Sequence, residues 1–77
     1  MNPSVEQHIS RRVREVRISK GVSAETVATW LGLKDDEYAD REAGEIAFNL
    51  LELIELSRQL GVPTFAFTRA MLKARAA

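Results

Sequence analysis

Val27-Ala28-Thr29-Trp30-Leu31-Gly32-Leu33 decides how this chain is read, together with the segment after it, Lys34-Asp35-Asp36-Glu37-Tyr38-Ala39-Asp40-Arg41-Glu42-Ala43-Gly44-Glu45. Val27, Ala28 and Leu31 are spaced so that they share one face of a short helix, with Trp30 packing beside them. Gly32 stands where a helix ends in a left-handed turn, and Leu33 brings the chain back to the apolar interior. Asp35, Asp36 and Glu37 suit the positive end of a helix dipole, and Gly44 closes the segment. The expectation is two short helices joined by a tight turn, about 24–31 with Ser23 as its cap and about 35–43.

Working outward, Val5, Ile9, Val13 and Val16, with His8, recur at spacings of three and four and predict a first helix over about 4–19. Ser4 can cap it and Gly21 can end it. Downstream, Asn49-Leu50-Leu51-Glu52 has the form of a capping box. Leu50, Leu53, Ile54, Leu56 and Leu60, with Leu51, make about 50–60 the most apolar helix and the expected centre of the core. Gly61 and Pro63 stop it. Thr64 can cap a fifth helix, about 65–75, whose Phe65, Phe67, Met71 and Leu72 are too apolar for a free tail. Period-two alternation is not sustained anywhere, so the fold class expected is all-α: one five-helix domain over residues 1–77.

The chain is 77 residues long with no cysteine and a formal net charge of zero, so disulfides and thiolate metal sites cannot support it. A domain this small must rest on efficient helix packing, on association with another chain, or on both. No apolar run approaches the roughly 18 residues of a membrane span, and Met1 to Glu6 lacks the pattern of a signal peptide, so a cytosolic protein is expected. Charge is unevenly placed. Between His8 and Lys20 lie five cations (Arg11, Arg12, Arg14, Arg17, Lys20) and one anion, Glu15; from Lys34 to Glu45 lie six anions and two cations. Folding should therefore produce a basic pole and an acidic pole, either as solvated helix faces or as polar contact surfaces.

Several short elements, in order and without a gap, carry a resemblance. They are Arg14-Glu15-Val16-Arg17, Lys20-Gly21-Val22-Ser23, Val27 to Leu33, Tyr38 with Glu42-Ala43-Gly44, and Leu50-x-x-Leu53-Ile54-x-Leu56 leading to Leu60-Gly61-Val62. The chain resembles the Cro and lambda-repressor-like (XRE) family of helix-turn-helix proteins from about Ile9 to Val62. That resemblance implies a compact five-helix fold and a transcriptional regulator that binds double-stranded DNA as a homodimer. It implies DNA contacts from Arg11, Arg12, Arg14 and Lys20 to phosphates, from Ser23 at the start of the second helix, and from Lys34 and Arg41 in the third.

The departures from the family fall on the surface expected to face DNA. Ala24 stands where Gln is common, and Lys34, Asp35, Asp36, Glu37 and Asp40 stand where base-reading polar residues are usual. Carboxylates accept from cytosine amino groups, but they oppose phosphate. A second reading is therefore a protein-binding module on the same fold. In it, Asp35, Asp36, Glu37, Asp40 and Glu45 imitate a phosphate row and engage a basic partner such as another regulator, a polymerase or a nuclease. A third reading joins the acidic pole of one copy to the basic pole of another. Phe65, Phe67 and Met71 are the residues expected at a dimer interface. The lone His8 and the absence of a ligand spacing for calcium or zinc argue against an enzyme, a metal site or a cofactor.

Overall fold

The computed structural model describes residues 4–69. Four helices run in the order α1 (Val5–Ser19), α2 (Ala24–Leu31), α3 (Asp35–Glu42) and α4 (Leu50–Leu60). A fifth, α5, occupies residues 65–69 within the described region. No strand occurs among the described residues.

The starts of the helices are set by side chains that satisfy free backbone donors. The Ser4 hydroxyl accepts the Gln7 N–H at 3.2 Å, while the Gln7 side chain accepts the Ser4 N–H at 3.0 Å. Asn49 and Glu52 make the same reciprocal pair for α4, at 2.8 and 3.0 Å. α3 has only half of this arrangement. Glu37 accepts the Lys34 N–H at 2.8 Å, but the lysine ammonium has no lone pair to return the bond.

The turn between α2 and α3 depends on Gly32, whose φ of 68° is strained for any residue with a Cβ. It lets the Leu33 N–H reach back to the Ala28 carbonyl at 2.9 Å. α2 packs on α3 and α4, and α1 packs on α3. The core between them holds Val13, Val16, Val27, Ala28, Tyr38, Phe48, Leu53, Leu56, Leu60 and Phe67. Tyr38 and Phe48 meet edge to face, with ring centroids 6.0 Å apart. Trp30, Leu31 and Leu33 are partly buried against this cluster, the packing role expected of Trp30.

Two expectations are corrected here. α4 buries Leu53, Leu56, Ser57 and Leu60, whereas Leu50, Leu51 and Ile54 are 66%, 76% and 40% exposed. An eleven-residue helix can present only one stripe to the core, and Phe48 and Phe67 fill the space that further leucines would need. Phe67 is itself fully buried in the protomer, so it is core and not free surface for a second chain.

Candidate nucleic-acid interface

α3 is held in place by charge as well as by packing. Arg17, near the end of α1, donates from Nε and Nη2 to the two carboxylate oxygens of Glu42, at 2.9 and 2.7 Å. Its remaining nitrogen, Nη1, donates to the Val22 carbonyl at 2.9 Å, so one guanidinium ties α1, the α1–α2 turn and α3 together. Both side chains are nearly out of water. The strong bond from Glu42 raises the pKa of Arg17 further. Burial alone would raise Glu42, but the bonds and charges of Arg17, with Arg14 3.8 Å away, outweigh it and hold the carboxyl below its ordinary value.

The Tyr38 hydroxyl is buried close enough to feel both members of this pair, yet no hydrogen bond to it meets proper geometry. Burial first, and the neighbouring Glu42 second, push its pKa well above the ordinary tyrosine value. On the other flank of α3, Arg41 donates to Glu52 of α4 at 3.1 Å and to the Glu37 carbonyl at 3.0 Å. Gly44 ends the segment with φ 84°, and a Cβ there would sit 2.9 Å from Gln7 Cγ of α1. α3 is therefore clamped at both flanks and at its end.

This geometry sorts the residues singled out from the sequence. Arg11, Arg14 and Lys20 are exposed, and so is Lys34 at the start of α3. Arg12 is not a free cation: its Nε donates to the Ala66 carbonyl at 3.0 Å and anchors α5 to α1. Arg41 is likewise committed to the fold through Glu52, which removes it from the DNA-contacting set. Ser23 accepts the Thr26 N–H at 3.2 Å and caps α2.

Among the acids, Asp35, Asp36, Glu37, Asp40 and Glu45 are all exposed. Glu37 and Asp36 bend back onto backbone N–H groups at the start of α3, so part of that acidity is structural. Asp36 and Asp40 lie four residues apart on the side of α3 away from Tyr38, and neither they nor Asp35 and Glu45 have a cation within bridging distance among the described residues. Phe65 is 51% exposed, with the Arg69 guanidinium 6.0 Å above its ring. Met71 lies outside the described residues.

A cleft of about 270 Å³ opens beside α3, lined by Arg14, Ala24, Tyr38, Ala39, Glu42 and Ala43. It borders the start of α2 at Ala24, next to the Ser23 cap. The sequence places Arg17 in the basic pole and Arg17 and Glu42 in separate motifs, but gives no sign of the clamp between them. The two residues are 25 positions apart, and no local spacing pairs them.

Among the described residues no group of His, Cys, Asp and Glu is placed to hold a metal ion, and no helix is long and apolar enough to cross a membrane. No curated protein matches the chain. The crystal structure of the restriction-modification controller protein C.AhdI from Aeromonas hydrophila is similar, with a TM-score of 0.71 and 28% identity over 79% of this chain and 92% of that one. A helix-turn-helix family model matches residues 13–67, from the middle of α1 to the start of α5, and with the clamped α2–α3 pair at its centre the chain belongs to the XRE-type helix-turn-helix family.

Proposed function

We propose that this chain is a transcriptional regulator that binds double-stranded DNA as a homodimer in the cytoplasm, as a binding protein and not an enzyme. The observation that carries the reading is the fixed attitude of α3. Arg17–Glu42 on one flank and Arg41–Glu52 on the other hold the helix with its outer face bare. Arg11, Arg14, Lys20 and Lys34 remain exposed to meet phosphates. The likeness to a restriction-modification controller protein supports a regulatory role. With Asp36 and Asp40 on the outer face, affinity rests on the flanking cations, and the carboxylates favour cytosine amino groups over phosphate.

Selection from a random duplex library at low salt, followed by fluorescence anisotropy across salt concentrations, tests this. Binding should weaken with salt, with a log–log slope of roughly −0.9 for each phosphate neutralised. Arg14→Ala should lower affinity for all duplexes alike. A chain that binds no duplex at micromolar concentration and about 50 mM salt, where phosphate contacts are strongest, is not a DNA-binding protein.

One observation favours a second reading. Asp35, Asp36, Asp40 and Glu45 are exposed and have no cation partner among the described residues, and Asp40 and Glu45 lie beyond the first turn, where the helix dipole calls for no acid. Such a row suits a protein with a basic surface. Under this reading, reversing Asp36 and Asp40 to Lys abolishes binding to a basic partner, whereas under the DNA reading it strengthens binding to duplex.

A further inference from the structure

The cleft beside α3 is open because three alanines border it. Ala39 and Ala43 are four positions apart on α3 and its cap, and Ala24 is the first residue of α2, so nothing larger than a methyl group fills those walls. Its volume of about 270 Å³ stands at the small end of ligand sites. The polar groups around it have unused donors. Arg14 is 64% exposed and lies 3.8 Å from Glu42, too far for a hydrogen bond, so its guanidinium donors are uncommitted among the described residues. At the start of α2, Ser23 accepts the Thr26 N–H, while the N–H groups of Ala24 and Glu25 have no acceptor among the described residues. Tyr38 is fully buried, yet its hydroxyl, which ends beside Glu42 in the cleft wall, has no hydrogen-bond partner. An unpaired buried hydroxyl costs stability, so the fold alone gives no reason to keep it. Arg14 and Arg17 outnumber Glu42 here by one charge, and Glu42 already gives both oxygens to Arg17. What the cleft lacks is an acceptor.

We propose that this cleft binds a small organic carboxylate with an apolar body, about ten heavy atoms in all. The carboxylate group lies between Arg14 and the first N–H groups of α2, where the helix dipole favours an anion. The apolar body lies against Ala39, Ala43 and the Tyr38 ring. Tyr38 is closed to water, so its hydroxyl joins the ligand only when Arg14 turns from Glu42 onto the carboxylate. Their 3.8 Å contact, with Arg14 largely solvated, is weak enough to be given up. A bare phosphate ion would meet the donors but leave the apolar walls uncovered. Arg14 is also one of the exposed cations assigned to DNA phosphates, so the carboxylate and the duplex compete for it. That competition rests on the DNA reading of the proposed function; the binding of the carboxylate does not.

Amide proton–nitrogen correlation spectra of the full chain, titrated with benzoate and separately with inorganic phosphate at equal ionic strength, read the site directly. Benzoate should give saturable shifts at Ala24, Glu25, Ala39 and Ala43, half complete by about 5 mM, and phosphate should bind at least ~5-fold more weakly. Ala39→Leu, at an exposed position, fills the cleft and should abolish these shifts while keeping the circular dichroism spectrum and Tm. Arg14→Ala should weaken benzoate binding about 5- to 10-fold. Tyr38→Phe should weaken it about 3- to 10-fold without lowering Tm, a loss that a purely structural hydroxyl does not produce. The proposal is overturned by the absence of saturable shifts up to about 20 mM benzoate, beyond the range expected for a ligand of this size. Phosphate binding as tight as benzoate, or an Ala39→Leu or Tyr38→Phe variant that binds benzoate like wild type, overturns it equally. Saturating benzoate should also lower duplex affinity about as far as Arg14→Ala does. A chain that binds benzoate but no duplex supports the site while removing the DNA reading, and one that binds both with neither affecting the other overturns the placing of the carboxylate on Arg14.

Discussion

Replacing Glu42 by Ala strands the Arg17 guanidinium between α1 and α3. The pair is 13% and 11% exposed and joined by two charge-assisted bonds of 2.9 and 2.7 Å. Removing one partner of a buried ion pair costs about 3–5 kcal/mol, because the surviving charge keeps its desolvation penalty without its counterion. Here a small residual exposure admits some water, and Arg17 keeps its bond to the Val22 carbonyl, so the lower end applies, about 3 kcal/mol. For a domain of this size each kcal/mol moves Tm by about 4–8 °C, so the midpoint should fall by about 12–24 °C. Arg17→Met with Glu42→Leu should recover most of the loss, since no charge is then left buried. Urea unfolding at neutral pH, followed by circular dichroism and by Trp30 fluorescence, gives the four corners of the cycle formed by wild type, Arg17→Met, Glu42→Leu and the double variant, with Glu42→Ala measured beside them. A cost below about 1 kcal/mol for Glu42→Ala, or a double variant as unstable as the single one, would refute the view that this pair fixes α3.

The same cluster sets the pH limits. Glu42 titrates below its ordinary 4.5 in the folded chain, so its contribution is present above that value and is lost as pH falls through the lower folded pKa; urea midpoints should drop in that window and should not do so in the double variant. Tyr38 has a raised pKa, so its contribution is complete below the unfolded value of 10.0 and is lost as pH rises beyond it, which alkaline unfolding with Tyr38→Phe as control would show. Tyr38→Phe at neutral pH should be neutral or stabilising by up to about 1 kcal/mol, because it removes a buried hydroxyl that has no partner. Within α4, Leu56→Ala should cost about 2–5 kcal/mol and Leu51→Ala no more than about 0.5, a contrast visible in thermal melts of dilute protein.

Local chemistry made the helices legible. Ser4, Ser23 and Asn49 cap helices where their hydroxyl or amide oxygen can accept a nearby N–H, and Gly32 and Gly61 end them in the left-handed turn that suits glycine. Those signals act within a few residues of one another, so the primary structure contains them whole. The acidity of α3 was equally plain in the sequence.

The uses of the charges and the leucines were decided only in three dimensions. Arg12, Arg17 and Arg41 look like Arg11 and Arg14 in one dimension, but the fold brings them beside Ala66, Glu42 and Glu52, and those contacts withdraw them from the surface. Leu50, Leu51 and Ile54 look as apolar as Leu53 and Leu56, but a helix turns only one stripe toward a core already filled by Phe48 and Phe67. Periodicity reports which residues share a face. Which face is buried, and which charge meets which, depends on partners 11 to 54 positions away, and only packing brings those together.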